Sequence, residues 1–156
     1  MSTVTGSFRW YDKGIENILS DPSNLTTDDI KIALLTSSYT PNVDHLYYDV
    51  DITNEVANAN GYTTGGLSLS GKTLTYDTSG IGLFTSDNPL WTVTSGSIVS
   101  RYWIMYNNTP ASNKPLLCYG HCNYNGGAPL DLTATITFGI ILNVNGWFRF
   151  TKTDNP

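Results

Sequence analysis

The residue types best suited to chemistry lie close together at Cys118, His121 and Cys122. Two thiols and an imidazole can bind a transition metal, and two thiols can form a disulfide. The surrounding residues read as a strand, and four residues of strand span about 13 Å, beyond the roughly 7 Å Cα separation a disulfide tolerates. Side chains alternate along a strand, so Cys118 and Cys122 share one face and His121 points to the other. Three ligands on two faces do not converge. No second C-x-x-C or H-x-x-x-H supplies the fourth ligand of a structural zinc site. The expectation is two buried free thiols and no metal.

The segment from Thr40 to Asp51 carries Asp44, His45, Asp49 and Asp51 with the pair Tyr47-Tyr48. Carboxylates at this density can hold calcium, but the D-x-D-x-D-G…E spacing of an EF-hand is missing. It reads as a solvated loop with aromatic anchors. His45 is a loop or interface residue rather than a base, because no nucleophile stands beside it. Asn60-Gly61-Tyr62-Thr63-Thr64-Gly65-Gly66 has the glycines of a phosphate cradle without GxxxxGK[ST] and without a helix to follow. Glycines serving positive φ explain it more simply. Arg101 has two readings: an edge charge snorkelling over Trp103, or a buried partner for an acidic residue or a neighbouring subunit. No acid, base and nucleophile stand in a recognisable constellation, so neither an enzyme nor a cofactor is expected.

Composition supports that reading. Only 13% of the 156 residues are charged, and Tyr, Thr, Ser, Asn and Gly are plentiful. This favours strands and tight turns over helices, and points either to a surface partly covered by other subunits or to a charge-poor β domain with no partner. Net charge is −5 with eight Lys and Arg together, too few for a basic patch on nucleic acid. No apolar run approaches the ~20 residues that span a bilayer. The N-terminus lacks a basic region followed by a hydrophobic stretch, so a protein kept soluble in a cytoplasm is expected.

The elements that must position these residues centre on Ile30-Lys31-Ile32-Ala33-Leu34-Leu35, apolar on both faces toward its end and so central to the fold. Before it, residues 12–20 predict the one helix, with Asp12 as its cap and Tyr11, Ile15, Ile18 and Leu19 as its inward stripe. Gly14 weakens it, and Asp21-Pro22 stops it. Strands are predicted over 52–57, 72–76, 81–85 and 90–93, separated by turns. Ser97 to Tyr106 reads as one long strand, with Ile98, Tyr102, Ile104 and Tyr106 on one face and Val99, Arg101, Trp103 and Met105 on the other. Pro115 to Cys122 is its hairpin partner, 123–129 a loop, and Leu132 to Leu142 a strand with Ala134, Ile136, Phe138 and Ile140 inward. Asn145-Gly146 turns into a last strand, Trp147 to Phe150. The organisation is an N-terminal arm (1–10), a β domain (11–150) and a tail (151–156). The fold class is all-β: a single-domain antiparallel β-sandwich or jelly-roll-like fold with one short N-terminal helix. Candidate interface residues are Phe8, Trp10, Tyr47, Tyr48, Arg101 and Tyr124.

The order of certain segments resembles the small virion proteins of tailed bacteriophages. They are Tyr11-Asp12-Lys13-Gly14-Ile15-Glu16-Asn17-Ile18-Leu19, Ile30 to Leu35, Tyr39-Thr40-Pro41, the aspartate-containing loop through His45, Asn60-Gly61-Tyr62 with Gly65-Gly66, and Gly71-Lys72-Thr73-Leu74-Thr75. Ser100-Arg101-Tyr102-Trp103-Ile104-Met105-Tyr106, Pro115-Leu116-Leu117-Cys118-Tyr119 and Asn145-Gly146-Trp147-Phe148 complete the series. The resemblance covers most of residues 8–150. The paired cysteines and the extended 122–132 segment depart from it. It implies a non-enzymatic capsid decoration or cement protein, often a homotrimer, that binds the major capsid protein on the capsid exterior after synthesis in the host cytoplasm. It carries no catalytic residues over to this chain. The alternative is a tail or fibre component, or a carbohydrate-binding β-sandwich using Trp91, Tyr47, Tyr48, Tyr124 or Trp147 as stacking platforms.

Overall fold

A computed structural model of the chain describes residues 2–4, 8–20, 24–78, 80–125, 128–142 and 146–151, with backbone alone at 2–4, 124–125 and 151. The predicted helix stop at Asp21-Pro22, the turn residue Asn145 and tail residues 152–156 lie outside the described residues. Among the described residues fifteen short strands and three short helices succeed one another. They are β1 (Ser2–Val4), β2 (Phe8–Trp10), α1 (Asp12–Ser20), α2 (Asn24–Thr27), β3 (Ile30–Leu35) and α3 (Tyr48–Asp51). Then come β4 (Leu67–Ser68), β5 (Thr73–Tyr76), β6 (Ile81–Thr85), β7 (Leu90–Thr92), β8 (Ile98–Ser100) and β9 (Tyr102–Asn107). The last six are β10 (Leu116–His121), β11 (Asn123–Asn125), β12 (Ala128–Leu130), β13 (Leu132–Ala134), β14 (Thr137–Ile140) and β15 (Phe148–Thr151). The chain is all-β and sandwich-like, and the single expected helix is joined by the one-turn α2 and α3.

The organising sheet has five strands in the order β2-β10-β9-β3-β4. Its middle strands are buried on both faces, which is why IKIALL, YWIMYN and LLCYGH read as nearly continuous apolar runs. One face carries Ile30, Ile32, Leu34, Trp103, Met105, Leu117 and Cys118 into the main core, where they meet Phe84, Trp91, Phe138, Ile140 and Phe148 from the smaller sheets. Those are the three-stranded β1-β14-β7 and β15-β6-β5 and the pair β13-β8. The other face carries Ala33, Leu35, Tyr102, Ile104, Tyr106, Leu116 and Tyr119 under Tyr11 and Tyr39. Every strand pair is antiparallel except β1 with β14, among the described residues.

Several expectations are corrected. The long strand expected from Ser97 to Tyr106 breaks at Arg101 into β8 and β9, which lie in different sheets. The break reverses the alternation, so Ile98 faces the main core with Trp103 and Met105, not the opposite face with Tyr102. It is held by Ser100, fully buried, whose hydroxyl lies within 3.0 Å of the Leu35 and 2.9 Å of the Tyr102 carbonyl oxygens. The strand expected from Leu132 to Leu142 likewise breaks after Ala134, and Ile136, expected inward, is 71% exposed at the bend. Residues 52–57 form no strand; Glu55 makes one isolated bridge to Leu35. The expected loop 123–129 contains the ribbon β11-β12.

The helix α1 sits differently from its predicted stripe. Tyr11 and Ile18 are buried as expected, but the third inward residue is Gly14. A Cβ at Gly14 would lie 2.0 Å from the Leu117 carbonyl oxygen, so its absence lets the helix backbone rest on β10. Leu117 is at a bulge, where the ladder with β9 shifts register between Leu116 and Cys118. The same carbonyl accepts the Tyr11 N–H at 3.1 Å. Asp12 is the first helical residue rather than the cap, and its N–H goes to the Val43 carbonyl. With Gly14 inward, the helix is rotated so that Ile15 and Leu19 face out, 42% and 63% exposed.

Candidate functional site

The outward Ile15 and Leu19 stand four residues apart on one helix face. Beside them β2 presents Phe8 and Trp10, and β15 presents Phe148 and Phe150; together they line a hollow of about 230 Å³ that Arg149 also borders. Its aromatic floor is tightly set, with ring centres 5.2 Å apart for Phe8–Trp10, 5.3 Å for Phe8–Phe148 and 4.4 Å for Trp10–Phe148. On the other side of Leu19 a second hollow of about 210 Å³ is lined by Ile18, Leu25, Leu74, Tyr76 and Phe150. Tyr76 is 69% exposed at its rim. Leu19 and Phe150 belong to both hollows, so the two form one continuous apolar surface. Single exposed apolar residues are ordinary, but contiguous apolar faces mark places where something docks.

A third hollow, of about 240 Å³, continues past Ile18 and Leu25 toward the β9–β10 connection. Its floor is apolar, with Ile30 and Leu117, and its rim is polar, with Asn17, Ser20, Asn24, Asp28 and Asn107. Asn107 donates its amide to Asp28 at 2.5 Å, and the Lys72 ammonium donates to the Asp28 carbonyl. An apolar centre with a hydrogen-bonding rim is the common anatomy of a protein–protein contact.

Of the residues singled out from sequence, Phe8 and Trp10 meet at this surface. They are half-buried against the core rather than free, so residues 8–10 of the arm form an edge strand paired with β10, as residues 2–4 form one paired with β14. Tyr47 and Tyr48 lie elsewhere, on the loop over the opposite sheet face. Tyr48 stacks on Tyr106 at 4.1 Å and donates to Glu55 at 2.5 Å. Glu55 also accepts the Tyr62 hydroxyl at 2.5 Å and the Gly65 N–H at 2.7 Å, while Tyr62 oxygen accepts the Leu34 N–H. Burial, reinforced by the Glu55 carboxylate, raises the hydroxyl pKa of both Tyr48 and Tyr62. The arrangement ties two loops to the end of β3. Arg101 pairs with Asp131 at 2.8 Å, and the two side chains are 29% and 39% exposed, so Arg101 has an acidic partner at the surface rather than a buried one. The side chain of Tyr124 lies outside the described residues.

The residues first considered for chemistry also have structural roles. Cys118 and Cys122 are both buried in the main core as free thiols, and the Cys122 thiol donates to the Ser100 hydroxyl at 3.4 Å. Burial pushes the Cys122 thiol up to about 12 and Cys118 well above its ordinary value. His121 lies on the other side, its ring 5.3 Å from that of Tyr102. His45 shares a hydrogen bond with the Tyr39 hydroxyl at 3.1 Å. Asp49 accepts the backbone N–H groups of Asn113 and Lys114 and so fastens the loop to the β9–β10 connection, while Asp51 accepts those of Leu46 and Tyr47 and closes the loop on itself. Among the described residues no group of three His, Cys, Asp or Glu side chains converges to hold a metal. Gly61, Gly65 and Gly66 all have positive φ, as expected of turn glycines.

Sequence reasoning missed the apolar surface because it turned Ile15 and Leu19 inward; the signal was Gly14, read as a weakness of the helix rather than as its contact point. Scanned against protein-family models, curated proteins and solved structures, the chain matches none. No helix among the described residues is long and apolar enough to cross a membrane.

Proposed function

We propose that the chain is a non-enzymatic particle protein of a tailed bacteriophage, a capsid decoration protein that binds the major capsid protein on the shell exterior as a homotrimer. The order of sequence segments supplies the class. The observation that carries the binding role is the continuous apolar surface around Leu19, formed by Phe8, Trp10, Ile15, Tyr76 and Phe150 on a chain with few charges. A partner that binds only the assembled lattice stabilises it by mass action. The carbohydrate reading is weakened, because Trp91 and Trp147 are 2% and 5% exposed and present no open ring to a sugar. The tail or fibre reading remains the alternative location for the same docking surface.

The test is co-sedimentation of purified protein with capsid shells, alongside labelled protein located on the particle by electron microscopy. Leu19→Glu should reduce shell binding by at least about tenfold, as for a central interface residue. Its melting temperature should stay near that of the parent, because Leu19 is 63% exposed. Unchanged binding by this variant, or label confined to the tail, overturns the proposal.

A further inference from the structure

We propose that the outer edge of β14 is a strand-acceptor site, and that copies of this chain join by placing residues 2–4 of one copy on the β14 edge of another. In the single chain that edge is taken by β1, in parallel, with Ser2 opposite Phe138, Thr3 opposite Gly139 and Val4 opposite Ile140. The other edge of β14 pairs with β7, so β1 alone stands between β14 and an open ladder. Phe138 and Ile140 are buried at 0% and 3% exposure, and an uncovered edge on so apolar a strand is a template for any strand that reaches it.

The connection favours exchange. Only Thr5-Gly6-Ser7 separates β1 from β2, yet β1 belongs to the β1-β14-β7 sheet and β2 to the five-stranded sheet. Four Cα steps from Val4 to Phe8 reach about 14 Å at most. Both β1 and β2 are edge strands, so the arm can leave without unthreading any other element. An exchanged arm makes the same ladder as the arm in place, so exchange costs no hydrogen bonds. This is the low-cost route to dimers and, when the exchange is head-to-tail, to closed rings. The inference does not rest on the capsid reading, since the acceptor edge and the Leu19 surface are different parts of the chain.

The test is the length of the connection, read by size-exclusion chromatography with light scattering over a concentration series. Deleting Gly6 and Ser7 cuts the reach to about 7 Å and should populate dimers or rings at lower concentration than the parent. Inserting eight Gly/Ser residues after Ser7 raises the effective concentration of the chain's own arm toward about millimolar and should leave monomer below that level. Removing residues 1–4 should abolish the exchanged species. Mixing arm-bearing chains labelled with donor and acceptor fluorophores should give energy transfer that grows as arms exchange, including in the lengthened variant at high concentration. The same mass across the length series, or an oligomer that survives removal of residues 1–4, overturns the proposal. Leu19→Glu should exchange arms normally, which separates failure here from failure of the docking surface.

Discussion

Replacing Gly14 with Ala should destabilise the protein although the same change in an ordinary helix interior stabilises it by about 1 kcal/mol. The added Cβ would sit 2.0 Å from the Leu117 carbonyl oxygen and 2.8 Å from its carbon, both backbone atoms of β10. Reaching ordinary contact requires α1 and the bulge to separate by about 1.5 Å. That movement loosens Ile18 in the core and strains the Tyr11 N–H bond to the same Leu117 oxygen. Overpacking of this kind costs about 1–3 kcal/mol or more, and the helix-propensity gain offsets only part of it. A net loss of about 2 kcal/mol is expected in urea unfolding. For a chain of this size that corresponds to a melting temperature lower by about 4–8 °C. Glu16→Ala, on the exposed side of the same helix, serves as the control and should stay within about 0.5 kcal/mol. A Gly14→Ala protein as stable as the parent, or more so, would refute the reasoning that the helix backbone rests on the bulge.

Glu55→Ala should cost roughly 2–4 kcal/mol in the same unfolding assay, because it strands the Tyr48 and Tyr62 hydroxyls and the Gly65 N–H together. Cys118 and Cys122 should resist a thiol reagent at pH 8 in the native protein and react fully in denaturant; reaction of either before unfolding contradicts their burial and raised pKa. Acid should destabilise the Asp49 and Asp51 loop. The backbone N–H of Lys114 on Asp49 and that of Tyr47 on Asp51 hold both carboxyls below their ordinary range. A depressed folded pKa contributes stability that is present above the unfolded value, about 3.9, and is lost as pH falls through the folded one. The melting temperature should therefore fall below about pH 4, and Asp51→Asn should flatten that fall; an unchanged slope in the variant would count against the assignment.

Much of the scaffold was legible because it is local. The period-2 pattern of Ile30 to Leu35 marks a strand with two buried faces, and the Tyr102–Asn107 and Leu116–His121 pairing follows from two apolar runs across a short connection. The opposed faces of the Cys118/Cys122 pair and His121 followed from alternation alone. Residues that interrupt a pattern were harder. Ser100-Arg101 is a two-residue interruption in a run that is largely β-branched and aromatic on both sides, and the burial of Ser100 and the placing of β8 and β9 in different sheets show that the chain changes sheets there. Ile136 carries the same propensity as Phe138 and Ile140 but occupies a bend, where alternation no longer assigns a face.

Period and composition by themselves determined a charge-poor β domain with a double-faced central sheet, free buried thiols and an amphipathic N-terminal helix. Tertiary structure alone decided which way that helix turns. An apolar stripe on a short helix states that some face must be buried, but a missing Cβ matters only when another backbone lies within about 3 Å of it. The Leu117 bulge supplies that backbone, and with Gly14 set against it Ile15 and Leu19 have no place to go but outward.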